Sequence, residues 1–246
     1  MQGRFPRTED LKSILHPELI HHDLIFVGSQ ESLKTIAGSM FSPSKEALNQ
    51  LIGDCLGENY RMVSSVSLQA THLVVFAHIT IIPLITEVNY GDFATGFKKM
   101  MGNKGAVSVR FKLGQTSIRV INAHFHSGQN KVDVRNQDFN ETYAHFCAPT
   151  LPKSKTNMVT PLPGPAKPSD DCLIFMGDFN YRINGNTGTI FELMKQDMYE
   201  ILKYNDQLFI EMMIGKIPKV LKEGKVEFAP TYKRRQNSST EFSLNR

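Results

Sequence analysis

"KGAVSVRFKLGQTSIRVINAHF", residues 104–125, holds two apolar runs on either side of Gly114-Gln115. In the first run Val107, Val109, Phe111 and Leu113 alternate with Ser108, Arg110 and Lys112, the period of a strand with one wet face. The second run is carried by Ile118 to Ile121. A glycine between two such runs predicts a hairpin, so the sheet that contains it is not purely parallel.

Further short buried strands are expected at Leu24 to Val27, Leu73 to Ala77 and Leu173 to Met176. Helical spacing appears at Leu48, Ile52 and Leu56, entered through the hydroxyl and first-turn proline of Ser42-Pro43. It recurs at Phe139, Tyr143 and Phe146, then at Ile190, Met194, Met198 and Ile201. Strands and helices are interspersed, which predicts an α/β (α+β) layered fold with a mixed or antiparallel sheet. From Pro149 to Pro168 the chain has six prolines among polar residues and too few apolar side chains to pack. A surface insertion at about 149–170 within one domain spanning 1–246 is expected.

A chain of 246 residues with 41% hydrophobic content can fill a core. No apolar run reaches the roughly 20 residues that span a bilayer, and "MQGRFPRTED" lacks a secretory apolar segment, so a cytoplasmic location is expected. The three cysteines, Cys55, Cys147 and Cys172, are far apart and show no metal-ligand spacing. A net charge of +4 is too small to mark a nucleic-acid binder but suits an anionic substrate or membrane surface.

Candidate chemistry gathers where strands end. In "LIFMGDFNYR", residues 173–182, Asp178 follows a buried run and can orient a water and accept its proton, while Asn180 can bond the same water or an oxyanion. Taken alone, this stretch is also an ordinary polar turn. Glu31 in "DLIFVGSQES" repeats the design, and a carboxylate there can hold Mg²⁺ while the ion keeps waters and substrate oxygens. His124 follows the 118–121 run and can donate to a phosphoryl oxygen; His126 forms an accidental or metal-binding pair with it if the strand continues. Asn103 and Lys104 lie between glycines in "MMGNKGAV", and Tyr232, Lys233, Arg234 and Arg235 follow Pro230. Each signal alone describes a solvated loop as well, and no P-loop, serine elbow or Cys-His pair is present. Acids, amides and cations at successive strand ends together indicate metal-assisted phosphoryl transfer to water.

Six blocks in order, "DLIFVGSQE", "GNKGAV", "NAHF" followed by "RNQDF", "GDFNYR", "NDQL" and "FAPTYK", resemble the catalytic domain of inositol polyphosphate 5-phosphatases. These belong to the DNase I-like endonuclease/exonuclease/phosphatase superfamily, and the resemblance covers about residues 23–246. It implies a four-layer sandwich of two mixed β-sheets flanked by helices, and Mg²⁺-dependent hydrolysis of the 5-phosphate of phosphoinositides or soluble inositol polyphosphates. In that resemblance Glu31 is the Mg²⁺ ligand, Asp178 activates the water with Asn180 beside it, and His124 meets the scissile phosphate. Asn103 and Lys104 match positions at the head group's other phosphate, Tyr232 and Lys233 match the block that reads the 4-phosphate, and Arg182 belongs to the substrate-side motif.

Many members carry a second histidine four residues after the first, where this chain has Gly128, as a lipid-directed branch also does. The family also opens on a Trp-Asn strand and ends on an Asp-His block, whereas this chain contains no Trp and stops at Arg246. That difference implies a partial domain, so a catalytically impaired binding or regulatory fragment is the alternative, with a superfamily nuclease a weaker one. "GFKKMMG", with Phe97, Met100 and Met101 around Lys98 and Lys99, suggests peripheral contact with an anionic membrane. A helix edge with core methionines fits the same spacing. A monomer that binds no nucleic acid is expected.

Overall fold

The computed structural model describes residues 5–15, 21–31, 45–95, 104–147, 169–226, 228 and 230–232. The chain divides into two compact units, Met1–Asn180 and Tyr181–Arg246.

In the first unit, α1 (Thr8–Leu15) and α2 (Lys45–Leu56) accompany a sheet ordered β1 (Leu24–Ser29), β3 (Thr71–His78), β2 (Tyr60–Leu68). A second sheet is ordered β4 (Ile85–Ala94), β5 (Gly105–Leu113), β6 (Thr116–His124), β7 (Cys172–Asp178), and α3 (Val132–Cys147) connects β6 to β7. The pair β6–β7 is parallel and the others are antiparallel, so the expected two-sheet sandwich has, among the described residues, a mixed second sheet and an antiparallel first one. The cause is β3: it leaves β2 through a tight hairpin and runs against β1 on its other side.

Strand periodicity builds the layers. On β3, Leu73 and Val75 face Val107, Val109, Phe111 and Val120 of the second sheet, while Val74 and Phe76 face Leu48, Ile52 and Leu56 of α2. Both faces are therefore covered, which is why 71–77 is buried without interruption. Beyond the second sheet, Phe139 of α3 stacks on Phe175 of β7 at 4.5 Å between ring centroids, and Phe125 and Phe179 complete the cluster. The order is helices, sheet, sheet, helix.

The hairpin forms as expected, with Leu113 opposite Thr116 and Gly114 at φ 59°, in the left-handed region. The face expected to be wet is only partly so: Arg110 and Lys112 are partly exposed, but Ser108 is buried, and Arg110 and Arg119 both reach Asp170, at 2.5 Å and 2.6 Å. Asp170 itself is buried, so the expected insertion at 149–170 is already anchored at its last residue; 148–168 and Ser42-Pro43 lie outside the described residues. The edge strand β4 escaped the sequence reading because it is largely exposed and bulges between Thr86 and Asn89, where Glu87 sits at φ 51°.

His72 on β3 is buried, with Nδ1 2.8 Å from the Ser67 hydroxyl and Nε2 2.8 Å from Asn49 Oδ1 on α2. Burial, and after it the Lys45 charge, pushes its pKa down from 6.5 to about 4. The unfolded chain takes up a proton there that the fold refuses, so this contribution is complete above pH 6.5 and declines as the pH falls toward 4. Urea unfolding is expected to show a loss of about 2 kcal/mol between pH 7 and pH 5 that His72→Gln removes. A wild-type protein equally stable at both pH values would contradict it.

In the second unit, α4 (Thr187–Lys195), α5 (Tyr199–Tyr204) and α6 (Gln207–Met213) follow one another. The helical spacing through Ile190, Met194, Met198 and Ile201 thus spans two helices: Asp197, at φ 55°, breaks the run between them. The Asp206 side chain caps α6 by accepting from Phe209 N at 2.9 Å. No helix among the described residues is long and apolar enough to cross a membrane.

Candidate active site

Strand register brings three of the expected residues together. Gly105 is opposite His124, and His124 is opposite Asp178, so Lys104, His124 and Asp178 share one end of the second sheet. Glu31 lies past the end of β1 in the first sheet, exposed and at φ 52°. Asn180 is also left-handed, at φ 58°. Two of the non-glycine residues in that costly region are therefore candidate site residues, as expected where surrounding structure dictates the backbone for function.

Phe179 explains how the acid and amide are displayed. Its ring is stacked on Phe125 at 5.5 Å, which pins the middle of Asp178-Phe179-Asn180 in the aromatic cluster. Asp178 Oδ1 accepts from Asn180 N at 3.0 Å, Asn180 Nδ2 donates to Phe125 O at 3.0 Å, and Phe125 N donates to Asp178 O at 3.0 Å. The Asp178 side chain stays about half exposed, open to a water or substrate.

His124 is nearly enclosed. Lys104 Nζ is 2.6 Å from its Nε2, and Asp178 Oδ2 is 3.7 Å from the same nitrogen. An ammonium can only donate, so Nε2 accepts and the ring proton resides on Nδ1, which is buried with no hydrogen-bond partner among the described residues. Burial first, then Lys104, pulls the His124 pKa below its ordinary value, against the opposing pull of Asp178 and Glu31. The resting imidazole is neutral, and Lys104 is the cation beside it.

His126 does not pair with His124. The strand stops at His124, and His126 turns to α3, where Asp138 Oδ2 meets its Nδ1 at 2.6 Å and accepts from its backbone N at 3.1 Å. Buried Arg135 holds the same loop through the carbonyls of His126, at 3.2 Å, and Gly128, at 2.6 Å. Two residues of the "RNQDF" block thus fasten the loop after His124.

Gly177 explains why β7 approaches β6 so closely: it sits at φ 131°, and a Cβ there would run into the carbonyl oxygen and nitrogen of Ala123. Gly177→Ala is expected to cost about 2–5 kcal/mol from left-handed strain plus overpacking, read as a lower urea midpoint at unchanged m. An unchanged midpoint would contradict it.

The other expected residues fall in the second unit or outside the described residues. Arg182 and Tyr232 belong to the second unit; the Arg182 backbone is fixed by Gln207, which donates its N to Arg182 O at 2.9 Å and accepts from Arg182 N at 3.0 Å, and Tyr232 is exposed. Gln207 comes from the "NDQL" block, whose role the sequence did not show. Asn103 and Lys233 lie outside the described residues, as do 96–101 of the expected membrane contact.

A divalent cation fits Glu31 on its donor chemistry. Its carboxylate makes no hydrogen bond to any described residue, and no group of three His, Cys, Asp or Glu side chains among the described residues forms a closed cage. One carboxylate facing water suits a hard ion that keeps its waters, as Mg²⁺ does.

Over residues 1–245 the chain matches endonuclease/exonuclease/phosphatase family 2. It is 31% identical to human synaptojanin-2 across 86% of this chain and 14% of that protein. It is 31% identical to polyphosphatidylinositol phosphatase INP53 of Saccharomyces cerevisiae across 91% of this chain and 20% of that protein. The chain therefore spans a fifth or less of these two relatives' length. Among solved structures, the inositol polyphosphate 5-phosphatase domain of SPsynaptojanin, in complex with inositol (1,4)-bisphosphate and a calcium ion, superposes with a TM-score of 0.78 at 25% identity. That likeness covers 99% of this chain and 68% of that one. A Cimex nitrophorin in a ferrous NO complex shares the fold at TM-score 0.74 and 17% identity, so the fold alone does not select the chemistry.

Proposed function

The chain belongs to endonuclease/exonuclease/phosphatase family 2, and within it we propose a Mg²⁺-dependent phosphatase that removes the 5-phosphate from phosphoinositides or soluble inositol polyphosphates. The observation that carries this reading is the pairing of His124 with Asp178 across β6 and β7, with Lys104 on His124. Likeness to the solved inositol polyphosphate 5-phosphatase domain supplies the substrate class.

Asp178 takes a proton from the attacking water as its oxygen bonds to phosphorus and the phosphorus–oxygen bond to the inositol ring breaks; the leaving ring oxygen takes a proton from solvent water and Asp178 returns its own to solvent, giving a ring hydroxyl and inorganic phosphate. Asn180, its backbone turned by the bonds to Asp178 and Phe125, orients that water. Lys104 faces the phosphoryl oxygens and supplies charge, and the neutral His124, whose Nε2 accepts from that ammonium, holds it beside Asp178. Bound through Glu31, Mg²⁺ would neutralise charge on those oxygens. Tyr232, Lys233, Asn103 and Arg182 are assigned to the remaining phosphates of the head group. Peripheral binding through Phe97 and Met100 to an anionic cytoplasmic membrane surface is part of the same reading.

The test is phosphate release from phosphatidylinositol 4,5-bisphosphate vesicles and from inositol 1,4,5-trisphosphate, with Mg²⁺ and with EDTA. Mg²⁺-dependent release from either substrate supports the reading. Binding to both without release would make the chain a phosphoinositide-binding module instead, and release unaffected by EDTA would remove the metal.

A further inference from the structure

Among the apolar side chains packed between the two sheets sits a buried amide, Asn122. This side chain is fully buried on β6, two residues before His124 and thus on the same face, among Val75, Val107, Val120 and Met176. A buried amide costs stability unless its donors and acceptor are all engaged. Here they are, and every partner comes from the other sheet or the residue just past it: Nδ2 donates to His72 O at 2.8 Å and Ser29 O at 3.4 Å, and Oδ1 accepts from Gln30 Nε2 at 2.5 Å. The end of β1 is pressed onto this amide, since a Cβ at Gly28 would come within 2.7 Å of Asn122 Oδ1.

Gln30 immediately precedes Glu31, whose φ of 52° is a conformation a glutamate keeps only when its neighbours are fixed. Asn122 grips the residues before it by a backbone carbonyl and a side chain. We propose that Asn122 is a positioning residue that holds the Glu31 carboxylate, on one sheet, in place relative to His124 and Asp178 on the other. The inference rests on Glu31 as the metal ligand, and it assigns Gln30 the role of carrying Asn122's hold to that carboxylate. An apolar side chain would fill the same volume but release the Ser29 carbonyl and the Gln30 amide from this hold.

Mn²⁺ standing in for Mg²⁺ provides the probe, with its affinity read by water-proton relaxation in the 246-residue chain and the melting temperature measured beside it. Gln30→Ala and Asn122→Leu are expected to weaken Mn²⁺ binding about tenfold or more, the usual effect of losing a group that orients a metal ligand. Because both act on one path, the double variant is expected to be no weaker than Asn122→Leu. Gln30→Ala, with a side chain only half-buried, is expected to melt with the wild type and decides the matter if Asn122→Leu does not fold. Undiminished Mn²⁺ affinity in folded Gln30→Ala would overturn the inference and leave Glu31's assignment intact. A wild type whose Mn²⁺ binding survives Glu31→Ala would overturn both.

Discussion

Asp178→Asn is expected to lower kcat/KM by about 10³-fold or more while the melting temperature stays within a few degrees of wild type. The asparagine has the same shape and can still accept from Asn180 N, a bond of 3.0 Å in the wild type, so the turn and its anchoring by Phe179 persist. What disappears is the ability to accept a proton from water and the negative charge 3.7 Å from His124 Nε2. Loss of a positioned general base alone accounts for about 10²–10⁴-fold. Substrate affinity is expected to hold or improve, because one negative charge facing a polyanion is gone. A variant retaining activity within tenfold of wild type would remove Asp178 from the chemistry.

The largest stability effect is expected at Asp170. Its buried carboxylate binds Arg110 Nε at 2.5 Å and Arg119 Nε at 2.6 Å. Asp170→Ala leaves two guanidinium groups side by side beneath α3 and is expected to cost about 3–5 kcal/mol, as removal of one member of a buried ion pair does. Burial pushes the Asp170 carboxyl up, but the hydrogen bonds and charges of Arg119 and Arg110 together outweigh it and hold it below 3.8. A depressed carboxyl contributes stability that is complete above its unfolded value and lost as the pH falls through the folded one. Asp170→Asn is therefore expected to abolish the part of acid unfolding that develops below about pH 4, a window separate from that of His72. A urea midpoint unchanged in Asp170→Ala would contradict this.

What could be read in the sequence was local. The 104–125 hairpin was legible because its period of two and Gly114 state the same thing, and β7 because four apolar residues run straight into Gly177-Asp178. Asp178, His124 and Glu31 were legible because each comes at the end of an apolar run. The turn at Gly114-Gln115 already brings Lys104 toward His124, but sequence spacing does not encode which distant strand becomes β6's other neighbour, so the pairing of His124 with Asp178 emerged only from the register of β6 on β7. Asn122 was hidden for the same reason: its partners are 50 and more residues away on the other sheet. His126 misled because alternation was carried one step past the end of β6, where Asp138 outcompetes the strand for its ring. Asp197 misled in the opposite sense, since helical spacing passes through a left-handed residue that breaks the helix.

The decisive measurement is ³¹P NMR of inositol 1,4,5-trisphosphate incubated with Mg²⁺ and either the wild-type chain or Asp178→Asn. The 5-phosphate resonance is expected to decay into inorganic phosphate with the wild type while the 1- and 4-phosphate resonances persist, and nothing comparable is expected with Asp178→Asn. Decay of the 1- or 4-phosphate first, or equal decay with both proteins, would contradict the assignment of this site as a 5-phosphatase centre.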